Sequence, residues 1–282
     1  MQVARRAVLA GALLPLAAHA QSFPTRPLRL ISPFNPGGAV DVLNRLLAER
    51  MTADLGQPVV VDARPGANTV VGAEVVARAA PDGHTFMITT NSTHTNIVHL
   101  MRDLPYDPLR SFAPITLLSW GSVLLLAPRA APYADLPGFA GWARGLGRPV
   151  TYGSWGIGSA GHLYGALLAR QAGLNLEHVP YRGEQPAIAD MLGGRLDATF
   201  ASPVGGRPQI AGGAARGLGT VGTRRSSGVP EVPTFAEQGF AGFDLPLFVA
   251  AWAPAGTSPE IAARLRESLV RAVADPVIRD RM

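Results

Sequence analysis

The chain contains no cysteine and no lysine. Without cysteine there is no disulfide framework, no thiol nucleophile and no lipid-modified residue at an export cleavage point, so stability comes from burial alone. Without lysine, all 25 basic residues are arginine. That reads as genome composition, although the planar guanidinium suits fixed carboxylate recognition. Charged residues make up only 16% and aromatics 7%. No basic cluster is interleaved with aromatics, so the formal charge of +5 carries no argument for nucleic acid. Beyond the first twenty residues, no run is long and apolar enough to span a bilayer.

What is present is a chain of 282 residues, 47% hydrophobic, enough for a sizeable core and one or two domains. Gly 32 and Pro 25 predict many short loops. Residues 1–20 read as an export signal: Arg5-Arg6, an apolar stretch from Ala7 to Ala17, and Ala18-His19-Ala20 before Gln21. The apolar stretch is too short for a stable anchor. The paired arginines leave a twin-arginine route open beside the expected general secretory one. Cleavage after Ala20 would remove both, taking the formal charge from +5 to +3. A soluble periplasmic protein is expected.

Strand and helix signals alternate through short loops, which predicts α/β organisation with mostly parallel sheets. Leu28 to Ile31 and Val59 to Val61 read as strands, with a helix from Val42 to Met51 between them. A helix over Val70 to Arg78 precedes a strand over Thr85 to Thr90. Ile115 to Leu118 and Val123 to Ala127 read as two strands split by Ser119 to Ser122, where the chain is expected to enter a second lobe. There the pattern repeats: helix Asp135 to Arg144, strand Pro149 to Gly153, helix His162 to Gln171, strand Leu176 to Tyr181, helix Gln185 to Leu192 and strand Leu196 to Ala201. Gly205-Gly206-Arg207 reads as a passage between elements, before an apolar segment at Leu218 to Val221. Leu247 to Ala253 is a return strand and Pro259 to Val273 a closing amphipathic helix.

The loop Ser32-Pro33-Phe34-Asn35-Pro36-Gly37-Gly38-Ala39-Val40-Asp41 joins a strand to a helix start. The first helical N–H groups lack intrahelical acceptors and the dipole is positive there, which makes an anion site. Gly37 and Gly38 keep side chains out of the way. A plain turn without ligand is the alternative. Asn91-Ser92-Thr93-His94-Thr95-Asn96, six polar residues ending the third strand, fall where open α/β sheets bind ligands and are candidates for the same pocket. Asp41 reads either as a ligand contact or as a charge favouring its helix N-terminus.

Gly156-Ile157-Gly158-Ser159-Ala160-Gly161 is a literal G-x-G-x-x-G, with Glu177 19 residues after Gly158. A dinucleotide site is disfavoured because the motif is mid-chain and Glu177 opens its strand rather than ending it. The same glycines serve a smaller anion. Ile157 stands where a serine hydrolase elbow needs glycine. None of His84, His94, His99, His162 and His178 forms a His-x-x-x-His pair, so no metal and no cofactor is expected. His162 could donate to a ligand or be a satisfied structural group. Tyr181-Arg182-Gly183 closes a strand and is either a ligand contact or packing. Trp120 and Trp155 hint at an apolar wall.

Pro33-Phe34-x-Pro36-Gly37-Gly38-x-x-Asp41, Gln57-Pro58-Val59-Val60-Val61, Arg64-Pro65-Gly66-Ala67 and Pro81-Asp82-Gly83 occur in order. Leu104-Pro105-Tyr106-Asp107-Pro108, His178-Val179-Pro180-Tyr181-Arg182-Gly183, Leu192-Gly193-Gly194, Val232-Pro233-Thr234 and Ala253-Pro254-Ala255-Gly256-Thr257 complete the series. Together they resemble the Bug family of extracytoplasmic solute receptors, the TctC-like binding components of tripartite tricarboxylate transporters. The resemblance implies a two-lobed periplasmic binding fold, type II-like, with a ligand cleft between α/β domains joined by two crossover strands. Domain 1 would comprise 21–122 plus 249–282, and domain 2 residues 123–248. It also implies capture of a small organic carboxylate (a di- or tricarboxylate, an acidic amino acid or an aromatic acid) by a monomer that closes and is presented to membrane transporter subunits.

Under that resemblance Phe34 to Ala39 hold one carboxylate and Ser154 to His162 face it from the other lobe. The expected ligand-binding set is Phe34, Asn35, Pro36, Gly37, Gly38, Ala39, Asp41, Asn91, Ser92, Thr93, Asn96, Ser154, Gly158, Ser159, Ala160, His162, Tyr181 and Ser202. Direct hydrogen bonds are expected from Ser92, Thr93, Asn96, Ser154, Ser159 and Tyr181. Two departures stand out. Ala201 occupies a position where the family commonly has an acid, and the family pattern would continue with further helix past Met282. Two rival functions need similar sites: a sensor docking on a signalling receptor, and a periplasmic enzyme. The enzyme would need a nucleophile–base pair or metal site that the sequence does not clearly supply.

Overall fold

A computed structural model describes residues 23–245 and 247–279; the export segment expected over 1–20 lies outside them. In chain order the elements are β1 (Leu28–Ser32), α1 (Ala39–Leu55), β2 (Val59–Ala63), α2 (Val70–Ala77) and β3 (Thr85–Thr90). Short 3-10 turns follow at Asn91–Thr93 and Ile97–His99, then β4 (Phe112–Gly121), β5 (Leu124–Pro128), α3 (Leu136–Gly145) and β6 (Val150–Ser154). Next come α4 (Ala160–Ala172), β7 (Leu176–Pro180), α5 (Glu184–Leu192), β8 (Ala198–Ala201), α6 (Pro203–Ala211) and β9 (Ala215–Thr220). β10 (Leu247–Pro254), α7 (Pro259–Val273) and α8 (Pro276–Arg279) complete the described chain.

The strands form two five-stranded sheets, β2-β1-β3-β10-β4 and β7-β6-β8-β5-β9. β1 pairs in parallel with β2 and β3, and β6 in parallel with β7 and β8. The strand that arrives from the other lobe runs antiparallel in each sheet: β5 against β8 and β9, β10 against β3 and β4. The chain therefore crosses between lobes twice, after Gly121 and again before Leu247. This is the two-lobed α/β architecture expected.

Helices cover both faces of both sheets. On α1, Leu43, Leu47, Met51 and Leu55 recur at helical spacing and pack with Leu265 and Leu269 of α7 against Leu30 and Ile88. The opposite face is closed by Val70, Ala73 and Val76 of α2. The second lobe repeats this, with Phe139, Tyr164 and Phe200 on one side and Ile188, Met191 and Val232 on the other.

Two elements differ from expectation. β4 runs on through Ser119 to Gly121 because β10 pairs with it there, Phe248 opposite Trp120 and Leu247 opposite Gly121. Residues 205–207, read as a passage, belong to α6. Ser202 caps that helix and Pro203 stands in its first turn. Gly206 depresses local propensity but is sterically required, since a Cβ there would overlap Leu124.

Candidate functional site

A cleft of about 2340 Å³ lies between the lobes, several times the roughly 300–1,000 Å³ of a small-molecule pocket, so a small ligand fills only part of it. It is lined from the first lobe by the β1–α1 loop, residues 65–69, Ser92 and Trp120. From the second it is lined by Trp155 to Ile157, Ala160, Tyr181 to Pro186, Ser202 and Arg207.

The β1–α1 loop has the backbone geometry that an anion site needs. Gly37 takes φ +83°, and Gly38 caps α1 without a side-chain acceptor, which leaves the first-turn N–H groups open to the cleft. Phe34, Asn35, Pro36, Gly37, Gly38 and Ala39 all line it. Asp41 does not. It is fully buried, its carboxylate accepting the Gly37 N–H at 3.0 Å and the Arg45 Nε at 2.9 Å. Its charge organises the turn from behind.

The second wall of this lobe comes from the loop between β2 and α2. Ala67, Asn68 and Thr69 stand in the left-handed region with φ of 44°, 51° and 79°, costly for three successive non-glycine residues. A buried hydroxyl chain holds them: Thr89 and Thr93 Oγ1 lie 2.6 Å apart, and Thr93 donates to Thr69 Oγ1 at 2.8 Å. Thr93 thus supports the lining rather than joining it, whereas Ser92 does line the cleft. Asn91 is set back, its Nδ2 donating to Asn96 Oδ1 at 3.3 Å.

Across the cleft, Ser154, Ser159 and His162 are likewise internal braces. Ser154 Oγ lies 2.7 Å from His178 Nε2, Ser159 Oγ donates to Ser154 Oγ at 3.1 Å, and the Gly158 N–H donates to His162 Nδ1 at 3.1 Å. The two imidazoles stack at 4.2 Å. Burial, reinforced by His162, pushes His178 down to about 4, and burial also lowers His162. Both histidines therefore serve as neutral groups that hold the loop. What this loop presents to the cleft is Trp155, Gly156, Ile157 and Ala160. The third motif glycine, Gly161, admits close packing against Phe200 and Ser154, while Glu177 opens β7 at the far end from the loop.

Gly158 meets the other lobe instead of the cleft. A Cβ on it would overlap Leu100 and lie 2.7 Å from Asn68 Nδ2, and its carbonyl accepts from Asn96 Nδ2 at 3.5 Å, the outer limit of a hydrogen bond. On the other side of the cleft, Asn35 Nδ2 donates to the Arg182 carbonyl at 3.1 Å. The lobes thus touch on two sides of the space they enclose.

Tyr181 lines the cleft with its hydroxyl already donating to Asp190 at 2.7 Å; burial and that carboxylate push it up to about 12. Ser202 also lines it, but its N–H and O–H both go to Glu184, at 2.7 and 3.0 Å. Ala201, buried at the end of β8, contributes nothing polar. Sequence reasoning missed Asn68, Arg182 as an interlobe partner, and Glu184. The available signals were the turn at Arg64 to Asn68 and the Gly183 helix start, but neither indicates a direction across the cleft.

The model for the tripartite tricarboxylate transporter family receptor matches residues 43–282. A protein encoded in the tcbD–tcbE intergenic region of a Pseudomonas species is 36% identical over 281 residues, 97% of this chain and 83% of the relative. The periplasmic binding protein BugD is similar in structure, with a TM-score of 0.85 at 32% identity over 92% of this chain and 87% of that one. MatC from Rhodopseudomonas palustris, solved with bound malate, gives 0.84 at 33% identity over 92% and 88%. The chain belongs to the tripartite tricarboxylate transporter receptor family.

Proposed function

We propose that this protein is a periplasmic receptor, not an enzyme, that captures a small organic carboxylate by closing its two lobes and delivers it, as a monomer, to a tripartite tricarboxylate-type transporter. The observation that carries this is the uncapped, glycine-opened start of α1 facing a second loop across a cleft whose two sides are bridged by interlobe contacts. MatC's bound malate supports the ligand class.

A favourable helix terminus is worth about 0.3–1 kcal/mol, up to ~2 when partly buried. Micromolar affinity needs about 8 kcal/mol. The remainder comes from direct hydrogen bonds to the ligand and from closure, which excludes water and strengthens them. A ligand touching both lobes binds the closed state better and so draws the protein into it. Calorimetry with malate, succinate, adipate, aspartate, glutamate and benzoate tests the proposal. Micromolar binding of at least one is expected; folded protein that binds none of them overturns it.

A further inference from the structure

Glu184 is a carboxylate, 8% exposed, at the first position of α5. One oxygen accepts the Ser202 N–H at 2.7 Å and the other the Ser202 hydroxyl at 3.0 Å, and that hydroxyl in turn accepts the Gly205 N–H at 3.0 Å. The cap residue of α6 therefore gives both its donors to Glu184. Gly205 is the residue that admits it, because a Cβ there would lie 2.7 Å from the carboxylate. Burial pushes the carboxyl upward while Ser202 opposes that shift. Glu184 lines the main cleft and also a small cavity of about 110 Å³, between Gly37, Ala39 and Leu43 of the first lobe and Val204 and Gly205 of the second. The positive end of α1 thus faces, across that cavity, a buried carboxyl group with lone pairs to spare. Arg182, Arg207 and Arg224 also line the cleft, but they are exposed and their fields are screened.

We propose that Glu184 is a specificity-determining residue. It receives a hydrogen-bond donor carried on the carbon next to the ligand carboxylate held at the α1 start, so the receptor selects α-amino or α-hydroxy acids over their unsubstituted counterparts. This rests on the carboxylate-receptor function proposed above. A donor at that point, an ammonium above all, favours the ionised carboxylate that burial opposes, whereas an unsubstituted methylene leaves its lone pairs unanswered.

Calorimetry on matched pairs tests it: aspartate and malate against succinate, glutamate against glutarate, lactate against propionate. The wild type is expected to favour the substituted member by about tenfold or more, the scale of a hydrogen bond to a charged group. Glu184→Gln, similar in shape and without charge, is expected to shrink the ammonium preference by about tenfold. If that variant does not melt cooperatively, Glu184→Asp, which retracts the carboxylate by one methylene, is expected to shrink the same ratio. Equal binding within pairs by the wild type, or a preference unchanged in the folded variant, overturns the role of Glu184 while leaving the receptor function standing. Failure of the wild type to bind any of these acids overturns both.

Discussion

Asn35 and Arg182, 147 positions apart in the chain, are joined across the cleft by a hydrogen bond of 3.1 Å from the Asn35 side chain to the Arg182 carbonyl. Because the acceptor is backbone, no substitution at Arg182 removes it, and the donor alone controls the contact. Asn35→Ala is expected to weaken ligand binding by roughly 2- to 10-fold, the worth of about 0.5–1.5 kcal/mol of hydrogen bond withdrawn from the closed state. Calorimetry gives the loss, and an unchanged melting temperature of the ligand-free protein separates closure from folding.

Gly158 makes the other interlobe contact, and there the requirement is steric. Gly158→Ala places a methyl group against Leu100 and Asn68 at a φ of +79°. It is expected to hold the lobes apart and to cost about 1 kcal/mol or more in stability from the left-handed backbone. Leu100→Ala added to it is expected to recover part of the affinity but none of the backbone cost. Affinity and denaturant midpoints measured on the single and double variants separate the two effects.

Asp41 is expected to act on structure. Asp41→Ala leaves the Gly37 N–H and the Arg45 guanidinium without their partner, for a loss of about 1–3 kcal/mol in urea unfolding. Ligand affinity is expected to fall with it, because the cradle turn loses its anchor. Full stability in this variant would contradict the bracing role.

The stacked histidines predict an acid-sensitive second lobe. The folded state holds His178 at about 4, below its ordinary 6.5, so between those values the unfolded chain binds more protons. Stability from this source is complete above about pH 6.5, falls as pH drops towards 4, and changes no further below that. Melting temperatures across that range should decline less steeply in His178→Gln. Asp54 acts in a separate, lower window. Its carboxylate, bonded to Arg264 and Arg271 of α7, is held well below its usual range. The stability it supplies is present above the ordinary carboxylate pKa and lost only as pH falls further. Asp54→Asn should therefore flatten the acid limb below about pH 4 and leave the histidine window unchanged.

Much of the fold was legible because its signals are local. α7 spans Pro259–Val273 as its periodicity and Ser258-Pro259 start indicate. The βα loops at Gly37-Gly38 and Gly156 to Gly161 announce helix starts through glycine placement. β4 and α6 depart from their local signals because long-range partners override them: β10 extends the one, and Glu184 with Leu124 dictates the glycines of the other.

The sequence by itself determined the α/β alternation and the glycine loops at its helix starts, since hydrophobic period and turn chemistry act over a few residues, while the ordered motifs carried the resemblance to the family. Only the tertiary structure decided which polar groups face the cleft and which brace its wall. A donor or acceptor is available only if no neighbour has claimed it. Those neighbours lie far along the chain: His178 for Ser154, Thr69 for Thr93, Glu184 for Ser202.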